Sequence, residues 1–415
     1  MSDLSGHTVP QRVGHSPINV SSSPGLPGEY GMSCQLVVLT EIISPYRIPV
    51  LNALAERKDI NLHVIFLAET DPTQRQWIVY KNEIHCSWEV LPSWRRRLGK
   101  HNILLNWGLG TALRRARPDV ILCGGYNYLA SWVSLGWAHR HRVPFMLWVE
   151  STGKDMRRGY VLTELLKAKF IHSCDGFVIA GKASFEYVKS FEPKNDRIFT
   201  APDAVDTDFF ARQADAARQN AVASRPALGL PPRYFLFVGR LVPEKGVFDL
   251  LEAYGMLPPE IRSQIGLVFV GDGVARSELE RRAVGISPGS VRFPGFAQRE
   301  QLAGLYGLAE VFVFPTHTDP WGLVVNEAMA CGLPIICSEA AGCVADLVED
   351  RWNGRVVFPR DLGQLASAMC ELASQGELRS LMGQRSRERV RGYSPRACAD
   401  GIAEAALSCE VSSYD

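Results

Sequence analysis

Two cationic side chains stand in FVGRLVPEKG (237–246), directly after a short apolar run. The run is typical of a buried strand that ends at Gly239, and Arg240 and Lys245 follow in a loop. A helix is expected to begin near Val247. Strand ends of doubly wound sheets face a ligand crevice, and helix N-termini favour anions. The pattern fits a phosphate site, and it fits a solvated turn that carries two surface charges equally well.

Two carboxylates in PTHTDPWGLVVNEAMACGLPIICS (315–338) carry the most information. Asp319 and Glu327 are separated by seven residues. Between them, residues 320–322 should start a helix that continues through Met329. The amides of its first turn suit a diphosphate, and Glu327, about two turns on, can accept hydrogen bonds from ribose hydroxyls. An unpaired Glu in an apolar helix is costly to bury, which favours this interpretation over a capping Asp and a structural Glu.

A third segment, FVGDG (269–273), is another apolar run that ends in glycines. Glycine lets the backbone approach a ligand closely, so Gly271 and Gly273 are expected at the same crevice. A tight turn without a ligand explains the same residues, and the pattern alone is weak.

Short apolar runs alternate with helical patterns along the chain, which predicts an α/β fold with buried parallel strands. In the first half, strands are expected at 34–40, 62–68, 119–125, 144–150 and 176–181, with helices such as 46–57, 102–116 and 128–140. In the second half, strands are expected at 234–239, 266–271, 290–295, 311–316 and 333–338, with helices at 247–257, 275–284, 299–309, 322–331 and 361–375, and a last helix at 394–408. Two successive series imply two doubly wound domains with a cleft between them.

Composition divides the chain further. Residues 1–31 are rich in Ser, Pro and Gly and are typical of a disordered tail, while 206–226 form a polar, Pro-bounded linker. The N-terminal domain is thus placed at 32–205 and the C-terminal domain at 227–390. Residues 391–415 are assigned to a C-terminal helix that is expected to pack back on the N-terminal domain.

The two halves differ in charge, although the net charge of the whole chain is +1. Residues 32–205 contain 23 Lys and Arg against 16 Asp and Glu, whereas residues 206–415 contain 21 against 26. The basic half is the one expected to meet an anionic surface; no nucleic-acid partner is expected. Within it, residues 94–119 interleave Trp and Leu with Arg and Lys at helical spacing, which suits an anionic membrane. A solvated charged face explains the same pattern.

Ten cysteines include no C-x-x-C pair, and several lie in apolar runs, so buried thiols of a cytosolic protein are expected. No apolar run is long enough to span a bilayer, and the N-terminus lacks the apolar core of a signal peptide. The predicted location is cytoplasmic, with any membrane contact peripheral and on the inner face of the cell membrane. Asp206-Thr207-Asp208 matches a D-x-D metal motif but falls in the predicted linker, so no metal site is predicted.

Four segments occur in a fixed order: GRLVPEKG, VGDG, D-PWGLVVNEAMACGLPII and AAGCVADLVEDRWNG (340–354). Together they resemble the retaining GT-B glycosyltransferases of family 4, also called glycosyl transferases group 1. The resemblance covers the C-terminal domain. It implies two Rossmann-like domains, a nucleotide-sugar donor, retention at the anomeric carbon, and neither a bound metal nor another cofactor.

The resemblance also implies roles for particular residues. Arg240 and Lys245 should hold the diphosphate, Asp319 should lie near the donor sugar, and Glu327 should bind the ribose, which makes these four the catalytic candidates. Phe296 should meet the base. The remaining donor-binding positions that it implies are Gly239, Gly271, Gly273, Pro320, Trp321, Gly322 and Leu323.

Three features depart from the family pattern. Asp319 stands where the family has Glu and is one methylene shorter. TEIISPYRIPV (40–50) replaces the glycine-rich loop that many members have after the first strand, and GGYNY (124–128) replaces a segment with His. No catalytic His is therefore assigned.

The N-terminal half offers candidates on the acceptor side. Tyr46 and Arg47 follow the first strand, and Arg47 can hold an acceptor phosphate or the donor diphosphate, although an Arg on a loop is an equal alternative. Glu150 ends a strand in WVESTG (148–153) and is a candidate acceptor ligand or base. A helix-capping role is its rival.

Together, the residues and the family resemblance predict a glycosyltransferase that moves a hexose-type sugar from a UDP- or GDP-sugar to a glycan or lipid-linked acceptor, in polysaccharide or glycolipid synthesis. Retention is implied by the resemblance. A nucleotide-sugar 2-epimerase of the same fold is one alternative, although the Asp319/Glu327 spacing argues against it. A catalytically degenerate sugar-nucleotide binding protein is the other.

Overall fold

The computed structural model describes residues 33–71, 77–98, 101–153, 161–286 and 289–411. The tail predicted over residues 1–31 lies outside these ranges. In chain order, the elements of the first half are β1 (Cys34–Thr40), α1 (Ile48–Ala55), β2 (Ile60–Phe66), β3 (Ser87–Val90), β4 (Ser93–Leu98), β5 (His101–Asn106), α2 (Leu109–Ala116), β6 (Val120–Cys123), α3 (Leu129–His141), β7 (Phe145–Val149), α4 (Val161–Ile171), β8 (Gly176–Ile179), α5 (Lys182–Lys189) and β9 (Ile198–Thr200).

The second half repeats the alternation of strands and helices. Its elements are α6 (Thr207–Gln219), α7 (Ala221–Ala227), β10 (Tyr234–Val238), α8 (Val247–Gly255), α9 (Pro259–Arg262), β11 (Gly266–Val270), α10 (Arg276–Ile286), β12 (Val291–Gly295), α11 (Arg299–Leu308), β13 (Val311–Phe314), α12 (Leu323–Ala330), β14 (Ile335–Ser338), α13 (Val344–Leu347), β15 (Gly354–Val357), α14 (Leu362–Ser374), α15 (Gly376–Val390) and α16 (Pro395–Val411).

Two parallel sheets organise these elements. The first has the strand order β3-β2-β1-β6-β7-β8-β9 and the second the order β12-β11-β10-β13-β14-β15. The pairings within both sheets are parallel, as the continuous apolar runs predict. Strand order reverses between β1 and β6 in one sheet and between β10 and β13 in the other. Ligand crevices of doubly wound domains lie at such switch points.

Strand β1 shows how both faces of the first sheet are covered. Leu36 and Val38 belong to the core that α1 and α16 close. Val37 and Leu39 belong to the core on the opposite face, with α2 and α3. Successive side chains of a strand point to opposite faces, so a doubly covered strand needs an unbroken apolar run.

The helix expected at 102–116 is wrong in its first part. Strands β4 and β5 pair in antiparallel register there, with Trp94 opposite Leu105 and Arg95 opposite Leu104. Leu104 is buried and Arg95 faces inward with it, paired with Asp71, whereas Trp94 is exposed. The stretch thus follows period two and not the helical period, which begins only at α2.

The residues assigned to a linker form two helices, α6 and α7. Asp206 caps the first of them, because its Oδ1 accepts a hydrogen bond from the backbone N–H of Phe209 at 2.9 Å. Phe210 and Ala214 are buried in the core of the second half, where α6 packs against α11 and α12. The segment is polar in overall composition, so its short apolar stripe was not evident from the sequence.

Helix α16 crosses back to the first half of the chain. It packs against α1 and against β8 and β9, and its Cys398, Ile402 and Cys409 are buried in that core. Among the described helices, none combines the length and apolarity needed to cross a membrane.

Candidate functional site

Two loops meet at the switch point of the second sheet. The cation loop (residues 239–246) follows β10, and the carboxylate loop (residues 315–322) follows β13. Because β10 and β13 are paired neighbours, their carboxyl ends place both loops at one edge. Lys245 Nζ donates to Asp319 Oδ2 at 2.5 Å and to the carbonyl of Thr318 at 3.2 Å. The structure thus brings together two residues that the sequence separates by 74 positions.

Backbone contacts hold these loops together as well. The N–H of His317 donates to the carbonyl of Glu244 at 2.9 Å, and the His317 ring lies 2.7 Å from Asp249 Oδ2 at the start of α8. A Cβ on Gly246 would lie 2.0 Å from the carbonyl oxygen of Pro315. The Lys245–Asp319 pair is therefore mounted on a rigid double loop, and His317 and Asp249 are supporting residues that the sequence reasoning missed.

The other cation of this loop has a different setting. Arg240 is exposed, and no ion pair with it is formed by any residue that the structure describes. Asp319 is also engaged at its second oxygen, because Oδ1 accepts from the N–H of Trp321 at 3.2 Å. Arg240 is thus the free cation of the pair, while Lys245 is already neutralised by Asp319.

The predicted glycines lie beside this double loop. A Cβ on Gly271 would lie 1.9 Å from the carbonyl oxygen of Gly239, and one on Gly273 2.4 Å from that of Leu241. Close backbone packing within the protein therefore explains why both positions are glycine. Gly271 N–H also donates to the carbonyl of Gly295 at 2.8 Å, which places the exposed ring of Phe296 next to the same crevice.

Helix α12 begins where the carboxylate loop ends. Gly322 has φ +100°, a left-handed conformation that favours glycine, and a Cβ there would lie 3.0 Å from the ring of Phe314. Leu323 is the first helical residue, so the helix begins just after the residues 320–322 that were expected to start it, and Pro320 is exposed in the loop. Helix α12 therefore starts at the double loop, and the positive end of its dipole faces that loop.

Glu327 lies on α12, where Tyr306 from α11 donates to its Oε2 at 2.8 Å. Burial raises the pKa of Glu327 to about 7, against the opposing effect of the Tyr306 hydrogen bond. No hydrogen bond to Oε1 is formed within the described part of the chain. The carboxyl is thus oriented by Tyr306 with one oxygen left for a ligand, and Tyr306 is a partner that no sequence motif indicated.

Trp321 is enclosed at the junction of the two halves. Its ring donates from Nε1 to Asn326 Oδ1 at 2.9 Å, and a Cβ on Gly181 of the first half would lie 2.8 Å from it. Asn326 Nδ2 in turn donates to the carbonyl of Asp203 at 2.9 Å. The Trp321 side chain therefore fastens the carboxylate loop to the first half, so that only its backbone remains for a donor.

The acceptor-side candidates Arg47 and Glu150 meet across the first sheet. Arg47 Nη2 donates to Glu150 Oε1 at 2.5 Å, and the guanidinium carbon lies 4.3 Å from the centre of the Trp148 ring. Arg47 precedes α1, where the helix dipole disfavours a cation, so the carboxylate and the indole compensate it. The neighbouring Tyr46 packs edge-on against Trp77.

Asp203 joins the two pairs and was missed by the sequence reasoning. It lies between β9 and α6, and its carboxyl is buried where it feels the charges of Arg47, Glu150 and Asp319. Burial and the Glu150 charge raise the pKa of Asp203 well above its usual range. Asp203 in APDAVD (201–206) belongs to no motif, so only the tertiary structure reveals it. The cleft thus holds one ion pair on each wall and a buried acid between them.

With this geometry in view, the C-terminal part of the chain can be placed among known proteins. Residues 223–389 match the family of glycosyl transferases group 1. The glycosyl transferases group 1 segment includes both loops, α12 and Glu327, but not Arg47, Glu150 or Asp203.

Curated relatives support the same placement. The chain is 29% identical over 218 residues to O-antigen chain mannosyltransferase B of Escherichia coli, which covers 51% of this chain and 55% of that protein. It is 30% identical over 273 residues to glycogen synthase of Mycobacterium tuberculosis, covering 63% of this chain and 61% of that protein. The chain thus spans less than two thirds of the length of either relative.

Solved structures extend the likeness to the whole fold. HepE of Anabaena, crystallised with UDP, superposes with a TM-score of 0.71 at 18% identity, covering 91% of this chain and 100% of that chain. Sucrose-phosphate synthase of Thermosynechococcus elongatus gives 0.70 at 21%, covering 92% and 100%. The predicted fold class is confirmed: two Rossmann-like α/β domains in the GT-B arrangement.

Proposed function

We propose that this protein is a glycosyltransferase that moves a hexose-type sugar from a UDP- or GDP-sugar to a glycan or lipid-linked acceptor, with retention at the anomeric carbon. The observation that carries the proposal is the Lys245–Asp319 pair, held at a switch point and at the N-terminal end of α12. Doubly wound domains bind nucleotides at such points. HepE of Anabaena has been crystallised with UDP-glucose, and E. coli mannosyltransferase B acts in O-antigen chains by its name.

The proposed mechanism is electrostatic. As the glycosidic bond of the donor breaks, negative charge grows on the leaving diphosphate. Arg240, Lys245 and the first amides of α12 lie where that charge can be stabilised, so neither a metal nor another cofactor is proposed. Glu327 would accept hydrogen bonds from the ribose, and Phe296 would meet the base. The acceptor hydroxyl would attack the anomeric carbon on the face that the leaving phosphate occupied. An oxygen of that phosphate would assist the transfer of the hydroxyl proton.

The acceptor is proposed to enter from the first half of the chain. Tyr46, Arg47 and Glu150 lie there on the wall that faces the donor loops. Asp319 would lie between the donor sugar and this wall. Its position one methylene back from the family's Glu leaves it paired with Lys245 and not extended toward the sugar.

The cytoplasmic face of a membrane is the proposed source of a lipid-linked acceptor. Trp94 and Trp107 are 44% and 56% exposed on and after the β4–β5 hairpin, and Arg96 is exposed beside them. Indole rings and Arg side chains favour an anionic interface. Arg95 points inward to Glu41 and Asp71, so it does not belong to the proposed docking surface.

One experiment separates the proposal from its rivals. Purified protein is incubated with radiolabelled UDP-glucose, UDP-N-acetylglucosamine, GDP-mannose and ADP-glucose, each with and without a lipid extract that contains glycan acceptors. Label in the acceptor supports the transferase. An epimerised nucleotide sugar would identify the 2-epimerase, and saturable binding without either product would identify a degenerate binding protein.

A further inference from the structure

Arg47, Trp148 and Glu150 form the wall of the cleft on the proposed acceptor side, and the charged group that this wall exposes is a carboxylate and not a cation. The Arg47 side chain is only 11% exposed, whereas that of Glu150, its partner at 2.5 Å, is 38% exposed. The indole of Trp148 lies under the guanidinium. A molecule that enters the cleft from this side therefore meets Glu150 first, with Arg47 behind it.

The charges of this wall nearly cancel. Arg47 and Glu150 neutralise each other, and burial together with the Glu150 charge raises the pKa of the Asp203 carboxyl well above its usual range. Asp203 adds no positive charge to this wall in either protonation state. Arg240, which is exposed and forms no ion pair with the described residues, belongs to the donor loops. No surplus positive charge is left on the described residues of this wall to bind a phosphate.

The Nη1 atom of Arg47 has no hydrogen-bond partner within the described ranges of the chain but is buried, so a phosphate monoester placed here would have to take the exposed side of the guanidinium away from Glu150. The released carboxylate would then lie close to the dianion without a counter-ion, which is strongly unfavourable in a partly buried site. A hydroxyl group needs no such exchange, since it donates to Glu150 while the ion pair stays intact. Carboxylates that Arg side chains hold in place are strong acceptors of hydroxyl hydrogen bonds.

We propose that the acceptor side of this cleft takes an uncharged, hydroxyl-bearing sugar, which donates a hydrogen bond to Glu150, and discriminates against sugar phosphates. The inference rests on the proposed glycosyltransferase function and names its acceptor class. It separates this chain from relatives whose names specify a phosphorylated acceptor, such as D-inositol 3-phosphate glycosyltransferase of Corynebacterium jeikeium. Any phosphate of a lipid-linked acceptor lies outside the Glu150 wall.

The test is a calorimetric titration of glucose and glucose 6-phosphate into the full-length protein at low ionic strength. The wild type should bind glucose 6-phosphate no more tightly than glucose. Glu150→Gln frees Arg47 and removes a like charge, so its affinity for glucose 6-phosphate should rise about tenfold or more. Adding Arg47→Gln to that variant should abolish the gain. Glu371→Gln is the matched control, because it also takes a carboxylate away from an Arg, Arg355 of β15, but outside this wall, and it should leave the affinity unchanged.

Two results would overturn the inference. One is a wild-type protein that binds glucose 6-phosphate more tightly than glucose and loses that preference with Arg47→Gln. The other is a folded Glu150→Gln variant, as judged by its thermal unfolding, that gains no affinity for glucose 6-phosphate. Should Glu150→Gln not fold, the wild-type comparison decides alone. UDP and GDP binding is measured in the same samples, so that loss of the donor site, which would contradict the proposed function, is seen separately.

Discussion

Lys245 and Asp319 form an ion pair of 2.5 Å that joins the loops after β10 and β13. Both side chains are largely buried, and the carboxylate also accepts the N–H of Trp321. The cation proposed to hold the donor diphosphate is thus paired before any ligand arrives. A diphosphate at this site must compete with Asp319 for Lys245.

This competition predicts opposite effects of Asp319→Asn on binding and on transfer. The variant frees Lys245, so its affinity for UDP or GDP should rise by about 0.5–1.5 kcal/mol, the net worth of one hydrogen bond. Transfer should fall, because the carboxylate near the sugar is lost. Asp196→Asn is a matched control, since Asp196 also pairs with a Lys, Lys189, but ahead of β9 in the first sheet, whereas Lys245 and Asp319 follow strands of the second sheet. Calorimetry with equal affinities for wild type and Asp319→Asn would contradict the competition.

Replacing the cations themselves should weaken nucleotide binding. Arg240→Ala and Lys245→Ala should each cost about 1.5–3 kcal/mol of UDP or GDP binding, the range for hydrogen bonds to charged groups. Arg281→Ala, on the exposed side of α10, is the control and should leave affinity unchanged. If both loop variants bind nucleotide like wild type in a calorimetric titration, the diphosphate assignment is wrong.

Donor binding should depend on pH through Glu327. Its pKa of about 7 means that the carboxyl is protonated below that pH, and only the ionised form accepts hydrogen bonds from both ribose hydroxyls. Affinity for the donor should therefore weaken as pH falls from about 8 to about 6, approaching tenfold per unit. Glu327→Gln should bind more weakly at pH 8 and show a flat profile. A wild-type profile as flat as that of the variant would make Glu327 structural.

Ionisation of Glu327 should lower the free energy of unfolding, although it should strengthen donor binding. The folded pKa of Glu327 lies above its ordinary value of 4.5, so ionisation destabilises the fold as pH rises from about 4.5 to about 7. Glu327→Gln should therefore be more stable than wild type at pH 8, by at most about 3 kcal/mol, and nearly equal at pH 4.5. Chemical denaturation at the two pH values measures the difference.

Transfer should need no divalent cation. The proposed mechanism stabilises the diphosphate with Arg240, Lys245 and helix amides, and Asp206 of the D-x-D sequence is occupied as the cap of α6. Activity in EDTA should equal activity in Mn²⁺ or Mg²⁺. Loss of transfer in EDTA, restored by either ion, would falsify metal independence.

Membrane docking should depend on the outer face of the β4–β5 hairpin. Sedimentation with anionic vesicles should fall with added salt and with Arg96→Ala, since each Lys or Arg at such a surface contributes about 1 kcal/mol. Replacing Trp94 and Trp107 by Ser should weaken it further. Arg140→Ala, near the C-terminal end of α3, is the control. Equal binding to neutral and anionic vesicles, or none, would favour an acceptor that is not membrane-bound.

The sequence by itself determined the alternation of strands and helices, and with it the doubly wound fold. Buried parallel strands need unbroken apolar runs, and those in β1, β7 and β10 are legible without any partner. It also located Arg240, Lys245 and Asp319 after strands and Glu327 inside a helix, because local signals such as glycine-ended strands mark those positions. The hairpin at 93–106 and the helices at 207–227 were misjudged, since their apolar residues are few and their burial depends on distant elements.

Only the tertiary structure decided which charges meet. Lys245 pairs with Asp319, Glu327 with Tyr306 and Arg47 with Glu150, and none of these pairs has a local signal, because each joins residues from different elements. Asp203 acquires its raised pKa from burial and from the nearby charges of Glu150 and Asp319, which lie far from it along the chain. The charge state of a side chain is set by its solvent access and by its neighbours in space. When those neighbours are distant along the chain, both properties are defined only once the chain has folded.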